Sequence, residues 1–227
     1  MKKIISIIVL LSILSLSVYA GYSTVTTSGD KYKVSIPVVK GWNLLPSDTS
    51  WWDLSEQDIV GLQEENILRV FLYLPLHNKY VKTHPGTDPQ DMQLITPNMD
   101  HLRTAADWYY IDKAGTMVFT IDKNMPRHNL PSNRIKLNQG WNLLAAPPWF
   151  MDGSLAWGDC DIQKIYLWEP GKQKWHDWPA SPSMTIGEKF LEQVDEMVGV
   201  GVAVKSANEC ELGPAVEPIP SVPSLPN

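Results

Sequence analysis

Five residues, Gly-Trp-Asn-Leu-Leu, occur twice in this chain: "GWNLLPS" spans residues 41–47, and "GWNLLAAP" spans residues 140–147. A five-residue segment that contains a tryptophan seldom recurs by chance in 227 residues. The repetition predicts an internal duplication. The rest of the sequence then bears on whether the repeated segment is a binding motif or a structural unit.

Two further pairs of segments extend the match. "ILRVFLYLPLHNKYVK" at 67–82 aligns with "IQKIYLWEPGKQKWHD" at 162–177, and "DWYYIDKAG" at 107–115 is paired with "GVGVAVKSA" at 199–207. The offset falls from 99 to 95 to 92 residues, as expected when loops shorten between retained strands. A period this long suits tandem domains rather than a solenoid repeat.

Each segment has the pattern of a β-strand. In "IQKIYLWEP" the residues Ile162, Tyr166 and Trp168 are separated by even steps, and the following "PGKQKW" supplies turn residues for a hairpin. The sequence therefore predicts a mainly β fold of two tandem, related small β modules. Each module is expected to be sandwich- or barrel-like, with a few short helices.

The same segments set the expected domain limits. We place the modules at 30–122 and 132–210, followed by a disordered tail at 211–227 that contains five prolines. Helical signal is confined to short segments. Among them, "TIGEKFLEQVDEM" at 185–197 begins with capping-box spacing and continues with an apolar face.

Residues 1–20 have the layout of a secretory signal peptide. Lys2 and Lys3 precede an apolar run at 4–18, and a small-x-small cleavage site ends at Ala20. An uncleaved anchor is the alternative, although the run is short for a spanning helix, which needs about 20 residues. We expect an exported chain, extracellular, at the cell surface or in the periplasm, with no transmembrane helix after cleavage.

The mature chain is expected to be acidic. Removal of Lys2 and Lys3 leaves 17 Lys and Arg against 25 Asp and Glu, a net charge of −8. Binding to nucleic acid requires grouped basic side chains that neutralise phosphates, and the sequence shows no such cluster. Nucleic acid is therefore not expected as a partner.

The repeated segment has a structural interpretation that requires no ligand. Its glycine permits a bulge or positive φ at the entry to a strand, and its asparagine is expected to bond a neighbouring backbone. Its tryptophan is expected to occupy a matching, buried position in each module, which contributes roughly 1.5–3 kcal/mol. The residues assigned this role are Gly41, Trp42, Asn43, Gly140, Trp141 and Asn142.

Several of the ten tryptophans lie among Pro, Gly, Asp and Ser, where loops are expected. Exposed indoles beside polar groups stack on sugar rings, and they also anchor protein–protein contacts. The third interpretation is that these rings seal the ends of the modules. The candidate aromatic contacts are Trp51, Trp52, Trp149, Trp157, Trp175 and Trp178.

Catalysis has little support in the sequence. It contains no nucleophile elbow, Cys-x-x-Cys pair, His-Glu-x-x-His motif or phosphate loop, and its five histidines are scattered. We therefore predict no catalytic residue, no metal site and no cofactor. A glycoside hydrolase, which needs two facing carboxylates, ranks third among the functional hypotheses.

Cys160 and Cys210 are the only cysteines. An even pair in an exported chain favours a disulfide, and two buried free thiols are the alternative. The alignment places Glu65 and Val118 at the corresponding positions of the first module, so the bridge would belong to the second module alone.

The repeated segments resemble Gly-Trp-Asn-Leu repeat modules of exported bacterial and archaeal cell-surface and S-layer-associated proteins. "KGWNLLP" and "QGWNLLAAP" carry the resemblance, together with the aromatic strand in "IYLWEPGKQKW". It implies an extracellular β module without catalytic residues. The leading hypothesis is a non-enzymatic cell-envelope or extracellular structural and interaction protein, whose partner is another such protein or a polysaccharide. A carbohydrate-binding protein that uses loop tryptophans is the alternative.

Overall fold

A computed structural model describes residues 23–47, 58–60, 63–102, 104–122, 135–145, 155–156, 159–177 and 199–214. These residues form four β-sheets, one α-helix and two 3₁₀ turns. The predicted mainly β fold class is therefore confirmed. The predicted signal peptide at 1–20 and the predicted helix at 185–197 lie outside the described residues.

The N-terminal half, residues 24–122, forms two sheets and carries the helix. Its elements are β1 (Thr24–Ser28), β2 (Lys31–Val38), β3 (Gly41–Pro46), β4 (Asp58–Val60), β5 (Ile67–Leu74), β6 (Lys79–His84), α1 (Pro89–Leu102), β7 (Ala106–Ile111) and β8 (Gly115–Asp122). One sheet, which we call the back sheet, has the order β1-β2-β8-β4, and the other, the facing sheet, has the order β3-β7-β5-β6. Leu102 of α1 is buried in a cluster with Leu72, Leu74 and Val81 of the facing sheet.

The C-terminal half, residues 135–214, is built in the same way. Its strands are β9 (Ile135–Leu137), β10 (Gly140–Ala145), β11 (Leu155–Ala156), β12 (Ile162–Glu169), β13 (Lys174–Asp177), β14 (Gly201–Ser206) and β15 (Cys210–Pro214). The back sheet has the order β11-β15-β9, and the facing sheet has the order β10-β14-β12-β13. All neighbouring strands are antiparallel.

The two facing sheets share one strand order and one residue register. Gly41 pairs with Ile111 in the first sheet, and Gly140 pairs with Ser206 in the second. A bulge follows the first residue of β5, and another follows the first residue of β12. β7 and β14 therefore correspond at an offset of 95 residues, and the offset of 92 residues expected from the sequence was wrong.

Side-chain replacement explains that error. The aromatic run at 108–110 of β7 corresponds to 203–205 of β14, which reads Ala-Val-Lys. Because no aromatic identity remains between these strands, their register is not visible in the sequence. The correct register also makes Gly115, rather than Val118, the counterpart of Cys210.

Each half is a sandwich with apolar side chains packed between its back and facing sheets, and the N-terminal cluster also includes buried apolar residues of the C-terminal half. In the N-terminal half Val34, Ile36 and Phe119 of the back sheet share one cluster with Leu45 and Ile111 of the facing sheet. The C-terminal core joins the two sheets in the same way, through Ile135, Leu137, Leu144, Ile165, Val202, Val204 and Leu212. Removing this apolar surface from water is the main force that holds each pair of sheets together.

The two halves pack against each other through their facing sheets. β10 contacts β7 while β14 contacts β3, β3 also contacts β10, and β7 contacts β14. Such reciprocal contacts are those of an approximate two-fold arrangement. The packing is close at Gly201, where an added Cβ would lie 2.7 Å from the Cβ of Leu44. The backbone N–H of Ala145 also donates to Thr104 C=O across the junction, at 2.9 Å.

The C-terminal half extends beyond its expected limit. β15 runs to Pro214 and is the central strand of its sheet, paired with β9 on one side and β11 on the other. Residues 211–214 are therefore part of the fold, and the prediction that the disordered tail begins at 211 was wrong. No helix among the described residues has the length and apolar character that crossing a bilayer requires.

Candidate functional site

The asparagine of each Gly-Trp-Asn segment closes the turn that leads into the facing sheet. Asn43 Nδ2 donates to the carbonyls of Val39 and Gly41 at 2.9 and 3.1 Å, and its Oδ1 accepts from the Val39 N–H at 3.0 Å. Asn142 makes the same three bonds, to the residues four and two positions before it, at 2.9, 3.2 and 2.9 Å. Both asparagines are buried. The predicted backbone-bonding role of this residue is confirmed.

The glycine of each segment has positive φ, one of the two conformations that the sequence allows at this position. The angle is 113° at Gly41 and 97° at Gly140. A side chain at either position would be strained, whereas glycine tolerates this region without a steric cost. Glycine and asparagine of the repeated segment therefore have structural roles in both halves.

The tryptophan of the segment does not behave as expected. Trp42 is only half-buried, and Trp141 is 36% exposed. Their positions match between the two facing sheets, but the prediction that both indoles are buried was wrong. The reason is that both rings lie on the side of the sheet that faces the other half, at the margin of the junction rather than inside either sandwich.

Trp42 is held by two side chains of the opposite half. Gln173 Oε1 accepts from the Trp42 N–H at 2.8 Å, and Gln173 Nε2 donates to the Trp42 C=O at 2.8 Å. Trp168 Nε1 donates to the same carbonyl at 2.9 Å. Because β3 is an edge strand, these bonds satisfy backbone groups that would otherwise face outward. We call Trp42, Trp168 and Gln173 the closed end of the junction.

The corresponding residues at the other end of the approximate two-fold are Trp141, Tyr73 and Asn78, which we call the open end. Asn78 has φ of 47° and Gln173 has φ of 51°, so the two side chains start from the same backbone conformation. Asn78, however, is one methylene shorter. Its Oδ1 accepts a hydrogen bond from the Tyr73 hydroxyl at 2.7 Å. The two side chains that would reach Trp141 bond each other instead.

The space beside the two segment glycines shows the same difference. A Cβ added to Gly41 would lie 2.7 Å from Gln173 Oε1, whereas a Cβ added to Gly140 would meet nothing within 4 Å. The volume that a carboxamide fills at the closed end is therefore not filled by any described residue at the open end.

The backbone of Trp141 faces this volume at the open end. Along a β-strand, the backbone N–H and C=O groups of successive residues point alternately to the two sides. The N–H of Ala145 points away from β14, so the N–H and C=O groups of residues 141, 143 and 145 in edge strand β10 all point away from β14. Trp141 therefore presents its N–H and C=O side by side at the free edge. Among the described residues, none provides these two groups with a hydrogen-bond partner.

A cleft of about 430 Å³ lies at the open end, between the two facing sheets. Its rim carries exposed rings, with Tyr80 49% exposed and Trp175 37% exposed. This volume and the mixture of aromatic rings with a few polar groups are typical of small-molecule sites. The described residues that line the cleft are Tyr73, Asn78, Tyr80, Trp141, Leu143, Tyr166, Trp175 and Ala203.

The described residues that line the cleft carry no acidic or basic side chain that is charged at neutral pH. Burial raises the pKa of the Tyr73 phenol above its ordinary value of 10.0, and the neighbouring Tyr80 phenol raises it further. Tyr73 is therefore a neutral hydroxyl that donates to Asn78. None of the described lining residues is a carboxylate, and the described part of the chain holds no group of three His, Cys, Asp or Glu side chains arranged for a metal ion.

One of the six predicted aromatic contact residues lies in this cleft. Trp175 packs edge-on against Trp108 and Trp168, with ring centroids 5.5 and 5.4 Å away, and it also lines the cleft. The other five candidates, Trp51, Trp52, Trp149, Trp157 and Trp178, lie outside the described residues.

Sequence reasoning missed the remaining cleft residues. It assigned Trp141 a structural role, and it treated Tyr73, Asn78 and Tyr80 only as part of the aligned segment at 67–82. The sequence did contain one indication of the cleft. The 95-residue offset aligns Asn78 with Gln173, and at this position the two halves carry side chains of different length.

The cysteine pair lies away from the cleft. The sulfur atoms of Cys160 and Cys210 are at disulfide distance, with Cα atoms 5.2 Å apart, as the sequence predicts. Cys160 precedes β12 of the facing sheet and Cys210 begins β15 of the back sheet, so the bridge joins the two sheets of the C-terminal half.

Comparison of the chain with protein-family models, with curated proteins and with solved structures finds no match.

Proposed function

We propose that this protein is a non-enzymatic, exported structural and interaction protein of the cell envelope or extracellular space, built from a duplicated Gly-Trp-Asn-Leu module. The recognition surface in this proposal is the cleft at the open end. The resemblance to repeat modules of surface proteins supports the location, and so does a cysteine pair at disulfide distance, which suits an oxidising compartment.

The observation that carries the proposal is the asymmetry of the junction. Two facing sheets with one strand order meet around an approximate two-fold, yet the side chains of the described residues fill only the closed end. The open end keeps a cleft lined by aromatic rings from both halves. The cleft exists only because the two halves pack together. In this proposal the duplication therefore serves recognition.

Carbohydrate binding is the second candidate function, and the cleft itself favours it. Trp141, Trp175 and Tyr80 present rings at its rim, and the lining includes polar groups that bond hydroxyls. Among the described lining residues no carboxylate is present to act as an acid or a base. The cleft therefore supports binding of a glycan rather than its hydrolysis.

Two measurements test the proposal: the cell fraction that contains the protein, and the residue at which the recovered chain begins. Cells that produce it are separated into cytosol, envelope and medium, and the N-terminus of the recovered protein is determined. We expect the envelope or medium fraction to hold most of the protein, with a chain that starts at Gly21. A full-length chain confined to the cytosol, with both cysteines reduced, would contradict the proposal.

A further inference from the structure

We infer that the open-end cleft binds a neutral sugar ring through two adjacent hydroxyl groups. One hydroxyl accepts a hydrogen bond from the Trp141 N–H, and its neighbour donates to the Trp141 C=O. A flat C–H face of the ring lies on the aromatic rim. This inference rests on the proposed function, in which the cleft is the recognition surface, and it names the class of ligand.

The closed end supplies the template for these two hydrogen bonds. There the Gln173 carboxamide presents an acceptor and a donor side by side to the N–H and C=O of Trp42, at 2.8 Å each. Trp141 holds the corresponding position in β10 and presents the same two groups. A ligand for the open end therefore needs one acceptor and one donor side by side. Two adjacent sugar hydroxyls meet that requirement, because each hydroxyl is both donor and acceptor.

The size and lining of the cleft favour a sugar over a single carboxamide. Its volume of about 430 Å³ lies in the range of sites for whole small molecules and far exceeds one amide group. Trp141, Trp175 and Tyr80 are 36%, 37% and 49% exposed, so the rings are available to the weakly polarised C–H groups of a pyranose face. Aromatic side chains combine this apolar surface with polar edges.

The polar groups of the lining set the charge of the ligand. Asn78 adds an amide donor and acceptor, and its Oδ1 already accepts from the Tyr73 hydroxyl. The described lining residues carry no charge at neutral pH. Lys205 Nζ lies over the Trp141 ring at 6.0 Å from its centroid, but Lys205 does not line the cleft. A neutral sugar leaves no buried charge without a partner.

The first experiment is a titration of the ¹⁵N-labelled protein with methyl mannoside and, separately, methyl glucoside, followed by nuclear magnetic resonance. We expect the backbone amide and indole signals of Trp141 to shift and to saturate with at least one of these sugars. The amide signal of Trp42 serves as the internal control and should stay in place, because Gln173 already occupies it.

Two variants, each of which places the residue of one end at the matching position of the other end, test the template directly. Asn78→Gln places the residue of the closed end at the matching φ of the open end, so its carboxamide should reach Trp141. We expect sugar affinity to fall at least tenfold and hydrogen exchange of the Trp141 amide to slow at least tenfold. Gln173→Asn is the matched control. It should leave the Trp141 response intact and speed exchange of the Trp42 amide.

The possible outcomes distinguish a wrong ligand class from a wrong recognition surface. If neither sugar shifts Trp141 while a glutamine-containing peptide does so saturably, the sugar assignment is wrong and the cleft remains a recognition site for protein side chains. If neither probe shifts Trp141, both the sugar and the recognition surface are overturned. Exchange of the Trp141 amide that is unchanged in a folded Asn78→Gln variant overturns the template.

Discussion

The closed and open ends occupy corresponding positions of two sheets with one register, yet they differ in what holds the edge strand. At the closed end, Trp168 and Gln173 reach across to the backbone of Trp42. At the open end, Tyr73 and Asn78 bond each other and leave the backbone of Trp141 facing a cleft. The comparison shows that the length and hydrogen bonding of two side chains decide whether a site on the same backbone is closed or open.

The largest expected difference between the two halves is the contribution of the disulfide. The Cys160→Ser/Cys210→Ser variant should lower the free energy of unfolding by about 4 kcal/mol, because the bridge closes a loop with a sequence separation of 50 residues. Urea denaturation measures the change. The N-terminal half has Glu65 and Gly115 at the matching positions, so it has no bridge to lose.

Thiol labelling of the denatured protein without reductant is the companion measurement for that variant. No reactive thiol is expected in the original chain. Two reactive thiols per chain would show that the bridge does not form in solution and would remove this difference between the halves.

The second prediction concerns the two asparagines, which should be equivalent. Asn43→Ala and Asn142→Ala each remove three hydrogen bonds to backbone groups, so each should cost about 3 kcal/mol at about 1 kcal/mol per bond. Chemical denaturation of both variants gives the comparison. A large loss at one position with none at the other would break the structural equivalence of the two segments.

The third prediction tests the packing of the halves at Gly201. Gly201→Ala should lower the free energy of unfolding by about 2 kcal/mol, because the new Cβ overlaps the buried side chain of Leu44. Its counterpart in β7, Ala106, already carries a Cβ. A double-mutant cycle with Leu44→Ala, measured by urea denaturation, should show that the two costs are less than additive. Full additivity would contradict this contact across the junction.

The smallest expected effect is the pH dependence that Tyr73 contributes at the open end. Because burial and then Tyr80 raise the pKa of the folded Tyr73 phenol, the unfolded chain loses this proton first as the pH rises. The stabilising contribution is complete below about pH 10 and is lost as the pH rises through the folded pKa. Unfolding measured across this interval should show a shallower decline in Tyr73→Phe than in the original chain. Identical slopes would rule out the contribution.

Much of the fold was predictable because its signals are local. Alternating strands, the turn residues of the hairpin at 170–173 and the paired Gly-Trp-Asn segments depend on neighbouring residues, and the structure bears out the β class and the roles of glycine and asparagine. The register of β14 was not predictable, because its aromatic side chains are replaced. The burial of Trp42 and Trp141 was misjudged, because it depends on where the other half packs.

The candidate site was largely invisible for the same reason. Trp175 was identified from its residue type, but the cleft requires Tyr73 and Asn78 from one half and Trp141 from the other. These residues come together only because the two facing sheets pack face to face.

By itself the sequence determined the two Gly-Trp-Asn turns, the alternating strands between them and the pairing of its two cysteines, since each of these follows from residue type and spacing. The tertiary structure alone decided that the halves pack through their facing sheets and that the described residues leave one end of the junction open. The physical reason is side-chain length. Gln173 and Asn78 share a backbone conformation, but Gln173 is one methylene longer. Across the assembled junction Gln173 hydrogen-bonds the edge strand of the other half, whereas Asn78 lines a cleft.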